Sequence, residues 1–388
     1  MKSKIKTSPM HLLLILFLGF SQIALAQKPE KIESLTKVHK STEYYAQQVA
    51  LWKKELDQNK KNAEAWFNYY RANRYVAISS NTDTLKNEKR WEQLKGIIEE
   101  MEKNIPESFE FNYLTWLNSG NDLSKFSYLE KAYAINPERT ETYPDFVAAY
   151  ELKQDQEKKD FFLKKWYDAG QISPGYLTYN YNVLNSLAPN AILLTIGDND
   201  TYPVWILQSV FGIRKDVQLI NLSMLYLENY HKAMSEKIGF EPIYAMQSQE
   251  KFNAFNESII KNIAANKAGR KTYTGLTVHP TFTQKHEANL YLVGLAYEYS
   301  EKKFDNIAVL KKNFEQVFAL DYLHLNFAKD PAESSLKMSH GNYLVPMITL
   351  YEHYQLSNDT DKAERLKNQI VAIAQTCGQE ETIKEYLK

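Results

Sequence analysis

Asp198, Asn199, Asp200 and Thr201 put four oxygen-bearing side chains in succession directly after Gly197, where the apolar run 191–196 ends. Carboxylates and side-chain carbonyls at such a place can ligate a hard cation, hydrogen-bond a hydroxylated ligand, or act as an acid–base pair. The spacing restrains each reading. A calcium loop spreads its ligands over about 12 residues and ends in a bidentate glutamate, which this stretch lacks. Asp and Asn also close turns and cap helices, and Asp200 stands nearest the expected helix start. The expectation is therefore divided: Asp200 serves as a cap, while Asp198, next to the strand, faces a ligand. A divalent cation is the one cofactor the loop suggests, and no metal site is assigned. Asp198, Asp200 and Glu287 would be the carboxylates of a glycosidase pair, but their separation is not a sequence property. No Gly-x-Ser-x-Gly elbow and no glycine-rich phosphate loop is present.

Three elements must position this loop. The run 191–196 has the length and composition of a strand buried on both faces. Pro203 fits the first position of a following helix, with Thr201 or Tyr202 as its cap and Val204, Trp205, Gln208 and Phe211 continuing it to Gly212. A second apolar run, 217–222, completes a βαβ unit, whose ligands gather at the carboxyl ends of its strands. A third strand, 272–278, stops at His279-Pro280. In a mostly parallel sheet, Asn221, Ser223 and His279 then join Asp198, Asn199, Asp200, Thr201, Tyr202 and Trp205 as the candidate ligand-binding set. His279 and His286 lack the close spacing of a helical zinc pair. Helices are expected at 225–237, closed by Gly239, at 252–265, and at 288–299 with Ala288, Tyr291, Leu292, Leu295 and Tyr299 inward.

The flanks read as helical. Ala63, Trp66, Tyr69, Tyr70 and Asn73 recur at helical spacing, and Phe109 and Tyr143 are one tetratricopeptide period of about 34 residues apart. A closing pair carries Met347, Leu350, Tyr351 and Tyr354, then Ala363, Leu366, Ile370 and Ile373, with the last helix running nearly to Lys388. The fold class is mixed: tetratricopeptide-like α-helical repeats flanking a small α/β unit. The expected organisation is a signal peptide at 1–26, a helical region at 27–170, the α/β domain at 171–300 and a C-terminal helical region at 301–388. The 27 tyrosines suit aromatic packing faces of such repeats.

Lys2, Lys4 and Lys6, the apolar run 12–20 and Ala24-Leu25-Ala26 describe a secretory leader, so an exported chain, periplasmic or secreted, is expected, without a membrane span after cleavage. Cys377 is the single cysteine, which removes intramolecular disulfides and zinc–cysteine clusters. Lys plus Arg and Asp plus Glu both number 47, a balance that gives no sign of a nucleic-acid partner.

The words GDNDTYPVW at 197–205, GIRKDV at 212–217 and INLSML at 220–225, preceded by 179–182 and 184–190, resemble the soluble extracytoplasmic part of bacterial multi-pass membrane proteins of the protein O-mannosyltransferase-like family, a family of unknown function. YTGLTVHP at 273–280 and VGLAYEY at 293–299 are similar to its later phrases. The resemblance implies fold and compartment. It implies no transferase activity, because that chemistry is suspected in a membrane-embedded part that this chain lacks. The expected function is a non-enzymatic binding or scaffold protein of the cell envelope, taking a small polar or glycan-related ligand or an envelope protein partner. The alternatives are an enzyme of glycan or envelope metabolism acting at the 198–201 loop and a purely structural module. The native amino terminus is expected at Gln27; mass spectrometry of the exported protein checks this, and a retained Met1 would contradict it.

Overall fold

The structure is a computed structural model, and it describes residues 28–79, 84–243, 248–325 and 329–387, with only the backbone of 84–88. The expected leader lies outside the described residues. Two compact units divide the chain. One holds 28–32 and Ser41–Ile105, and the other Glu33–Lys40 and everything from Pro106 onward.

The first unit is built from α1 (Thr42–Gln58), α2 (Ala63–Ser79) and α3 (Thr84–Asn104). Ser41 caps α1 by accepting the Tyr44 N–H at 3.2 Å, satisfying one of the donors a helix start leaves open. Trp66, Tyr70 and Asn73, expected at helical spacing, form part of the buried face of α2.

The second unit begins with α4 (Phe109–Asn118), α5 (Phe126–Ile135), α6 (Thr142–Leu152), α7 (Gln156–Asp168) and α8 (Pro174–Asn185). α4 packs on α5 and α6 on α7. Aromatic rings join these layers, the rings of Phe146 and Phe162 lying 4.2 Å apart in a stacked arrangement. The sheet region follows as β1 (Ile192–Thr195), α9 (Asp198–Ser209), β2 (Gln218–Asn221), α10 (Glu228–Ile238), α11 (Gln249–Ala264), β3 (Thr272–Gly275), α12 (Pro280–Thr283), β4 (Leu290–Leu292) and β5 (Ala296–Tyr299). The chain closes with α13 (Asn306–Lys312), α14 (Glu333–Ser339), α15 (Leu344–Leu356), α16 (Thr360–Cys377) and α17 (Glu380–Ile383). All eight residues expected inside the closing pair are buried.

The five strands lie in the order β2-β1-β3-β5-β4. β1 pairs in parallel with β2 and β3, whereas β5 runs antiparallel to β3 and to β4, so the sheet is mixed rather than mostly parallel. Ile192, Leu194, Ile220 and Leu222 share a core with Tyr230 and Met234 of α10 and Phe255, Ile259 and Ile263 of α11. Burial of each such side chain contributes on the order of 1.5–3 kcal/mol.

Three local expectations are corrected. Residues 288–299 do not form one helix: 288 and 289 end a 3-10 turn, and 290–299 form a hairpin. Gly294 holds φ +155°, and a Cβ there would meet the Phe318 ring at 2.8 Å, so the chain turns where a helix would have to continue. β5 instead buries Ala296 and Glu298 on alternate positions. The last long helix stops at Cys377 because Gly378 takes the left-handed conformation at φ +71°. Pro203 lies inside α9, which starts at Asp198 with Gly197 as its cap. A proline there cannot donate to the carbonyl four residues back, and that carbonyl, of Asn199, accepts instead from Asn180 Nδ2 at 2.8 Å.

The GIRKDV word acts as a clasp. Arg214, at φ +47°, donates to the carbonyls of Leu184, Leu187 and Ala188 at 2.6–3.1 Å, tying the end of α8 to the turn before β2. Asp216 accepts from Arg214 at 2.9 Å and from the Asn190 N–H at 2.8 Å. The Arg214 hydrogen bond above all holds the Asp216 carboxyl down to about 2, against an ordinary 3.8. A depressed carboxyl stabilises the fold fully above its ordinary value and loses that contribution as pH falls through the folded one. The stability advantage of the native protein over Asp216→Asn should therefore narrow as pH falls from about 4 to about 2. Thermal unfolding across that range checks it, and a constant gap would refute it.

Candidate functional site

At the carboxyl ends of β1 and β3 a cavity of about 330 Å³ opens. Its floor is the loop after β1: Ile196, Gly197, Asp198, Asn199 and Asp200, with Thr277 from the turn after β3. Tyr176 and Tyr179 of α8 form one wall, and Ser339 and Asn342 another. Leu35, Thr36 and His39 close it from a strap far earlier in the chain.

Asp200 organises the floor. Its carboxylate accepts the N–H groups of Gly197 at 2.9 Å and Ile196 at 3.3 Å, and the hydroxyls of Thr277 and of Thr201, the latter at 3.2 Å. The bond to the cap residue from the third helical position is half of a capping box. Burial pushes the Asp200 carboxyl above the ordinary carboxylate range, and the four donors hold it back. Thr201 is buried behind it, its hydroxyl 2.8 Å from that of Thr195 and accepting Asn221 Nδ2 at 2.9 Å. Asp198 is exposed at the cavity, in the first turn of α9.

The walls are tied by their own polar groups. Asn180 Nδ2 donates to the carbonyls of Tyr176 and Asn199, both at 2.8 Å, fixing α8 against the start of α9. The Tyr176 hydroxyl lies 2.7 Å from that of Ser339, and Asn342 Nδ2 donates to the Tyr179 hydroxyl at 3.2 Å. Burial raises the Tyr179 phenol well above its usual value, so it stays protonated. The strap is held by its backbone: the Thr36 carbonyl accepts Asn199 Nδ2 at 3.1 Å and Ser335 Oγ at 2.7 Å.

The structure brings together some of the expected residues and separates others. Asp198, Asn199 and Asp200 line the cavity. Thr201 and Asn221 support it from below, and Ser223 donates to the Ile196 carbonyl at 3.2 Å. Tyr202 packs its ring against Trp166 and Trp205, and Trp205 faces a different cavity. His279 caps α12, its Nδ1 accepting the Thr281 N–H at 3.2 Å, and is not among the lining residues. Among the described residues no group of three or more His, Cys, Asp or Glu side chains is arranged to hold a metal ion. Tyr179 and Thr277 fall within the phrases 179–182 and 273–280, whereas nothing in the local sequence singles out 33–40.

Residues 177–376 match the family model described as TMEM260-associated domain 2. The chain belongs to that family. A comparison with curated proteins finds no match. The TMEM260-associated domain contains the whole sheet and the cavity floor, while Leu35, Thr36, His39 and Tyr176 precede it.

Replacing Asp200 by Asn leaves an amide N–H₂ facing backbone donors, which should cost about 1–3 kcal/mol. Because burial raises the folded carboxyl, the native contribution is greatest below the ordinary carboxylate value and declines as pH rises through the folded one. The gap between native protein and Asp200→Asn should thus shrink with rising pH, the reverse of Asp216→Asn. Denaturant melts at several pH values check this, and a widening gap would contradict it.

Proposed function

We propose that the protein is an exported, non-enzymatic binding module of the cell envelope that holds an uncharged, hydroxyl-rich ligand, a sugar unit of a glycan, in the cavity at 196–200. The observation that carries this reading is the lining: two tyrosine rings beside carboxylate, amide and hydroxyl groups, with no lysine or arginine among the described lining residues. Aromatic faces take the C–H side of a sugar, and paired acceptors and donors take its hydroxyls. The carboxylates Asp198 and Asp200 at the helix start disfavour an anion there. The size is that of a small-molecule site.

The similarity of 179–225 to the soluble part of protein O-mannosyltransferase-like membrane proteins agrees with a glycan-related ligand, and the basic, apolar leader with export. The paired helices α4–α5 and α6–α7 are read as degenerate tetratricopeptide-like repeats, whose stacked faces suit an envelope protein partner. No described helix is long and apolar enough to cross a membrane. The enzymatic alternative rests on Asp200, whose raised carboxyl beside Asp198 has the pattern of an acid–base pair. The four donors around it favour a structural role instead.

Neutral mono- and oligosaccharides should raise the thermal midpoint of the native protein at millimolar concentration. Asp198→Ala should abolish that shift. If no saccharide shifts the native protein, the binding reading fails; if a bound saccharide is hydrolysed, the enzyme reading replaces it.

A further inference from the structure

A second cavity, of about 410 Å³, runs along the outer edge of β2 and shares no lining residue with the first. β2 is an edge strand. Its Gln218 N–H and the following Leu222 N–H are donated to the carbonyls of Ala191 and Thr195, towards β1, so strand alternation turns the Leu219 amide outward. The acceptors on that edge are already filled. Gln208 Nε2 donates to the Val217 carbonyl at 2.7 Å, and Gln218 Nε2 to the Leu219 carbonyl at 2.9 Å. Among the described residues nothing accepts the Leu219 N–H.

Cations surround the same space. Lys159 is buried, its ammonium 2.5 Å from Glu151 and 4.7 Å from the centre of the Trp205 ring. Lys215 and Lys237 also line the cavity, and neither has a carboxylate partner among the described residues. Burial lowers the Lys237 ammonium, Glu151 opposes this, and Lys159 and Arg270 add to it, so an incoming negative group would relieve like-charge repulsion. Lys159, Lys215 and Lys237 face only Glu151 and Asp160 in the lining. The cavity therefore presents donors whose acceptors are missing and a positive excess, the converse of the cavity at 196–200.

We propose that this cavity binds a small organic anion, whose carboxylate or phosphate oxygens are received by Lys215, Lys237 and the Leu219 N–H while its body lies against Trp205. The full-length exported protein, titrated calorimetrically at low ionic strength with glucuronate and, separately, inorganic phosphate, tests this. Binding of glucuronate alone assigns a carboxylate, binding of phosphate alone a phosphate, and either supports the site. The double variant Lys215→Gln/Lys237→Gln, with its fold verified by circular dichroism, should bind the effective probe about tenfold or more weakly. Added salt should weaken native binding, and Asp198→Ala should leave it unchanged, which separates this site from the saccharide cavity. Absence of binding by both probes, or unchanged binding in the double variant, would overturn the proposal.

Discussion

The carboxylate of Asp200 is the group on which the site's geometry depends. It sits at the end of β1, accepts two backbone N–H groups from the turn that follows, and fixes Thr277 beyond β3. Asp200 is itself buried, and a buried carboxylate without those donors would be costly. The arrangement thus joins two parallel strands and the start of α9 through one side chain. The start of α9 follows from the same atom, since the bond to Gly197 sets where the helix begins.

Amide side chains extend this principle through the unit. Asn180 compensates the proline within α9. Asn182 both accepts the Ala319 N–H and donates to its carbonyl, at 2.8 and 2.9 Å, reproducing a strand-like pair with a segment that has no strand. Asn313 donates to the Val293 carbonyl beside Gly294 and so holds the hairpin that the sheet needs as its antiparallel edge. These are buried polar groups with their partners supplied, which favours one arrangement over its alternatives.

The parts that were legible in the sequence are those in which a local pattern carries the whole cause. β1 is a short run buried on both faces, β2 carries the buried pair Leu219 and Ile220, and the closing helix pair repeats its apolar residues every three or four positions. The 288–299 stretch misled because Leu292, Leu295 and Tyr299 satisfy a helical spacing, while the deciding facts are the turn at Gly294 and its contact with Phe318. Pro203 misled because its compensation comes from Asn180, outside the helix. In the site the loop was legible and its walls were not. Tyr176, Ser339 and Asn342 gain meaning only once α8 meets the end of α14 and the residues that follow it.

The strap at Glu33–Lys40 sets the order in which the site can come into being. Its Thr36 carbonyl meets Asn199 across 163 positions of sequence and Ser335 across 299. Contacts of such separation are made late, because the intervening chain must first be closed into a loop. As the chain is synthesised from its amino end, the strap emerges early, its partners Gln171 and Asn199 follow in mid-chain, and Ser335 comes much later. A chain interrupted before Ser335 can have a complete floor and still lack the second of the two side chains that hold the Thr36 carbonyl. One wall of the cavity and part of its fastening are thus supplied by residues made long after the floor.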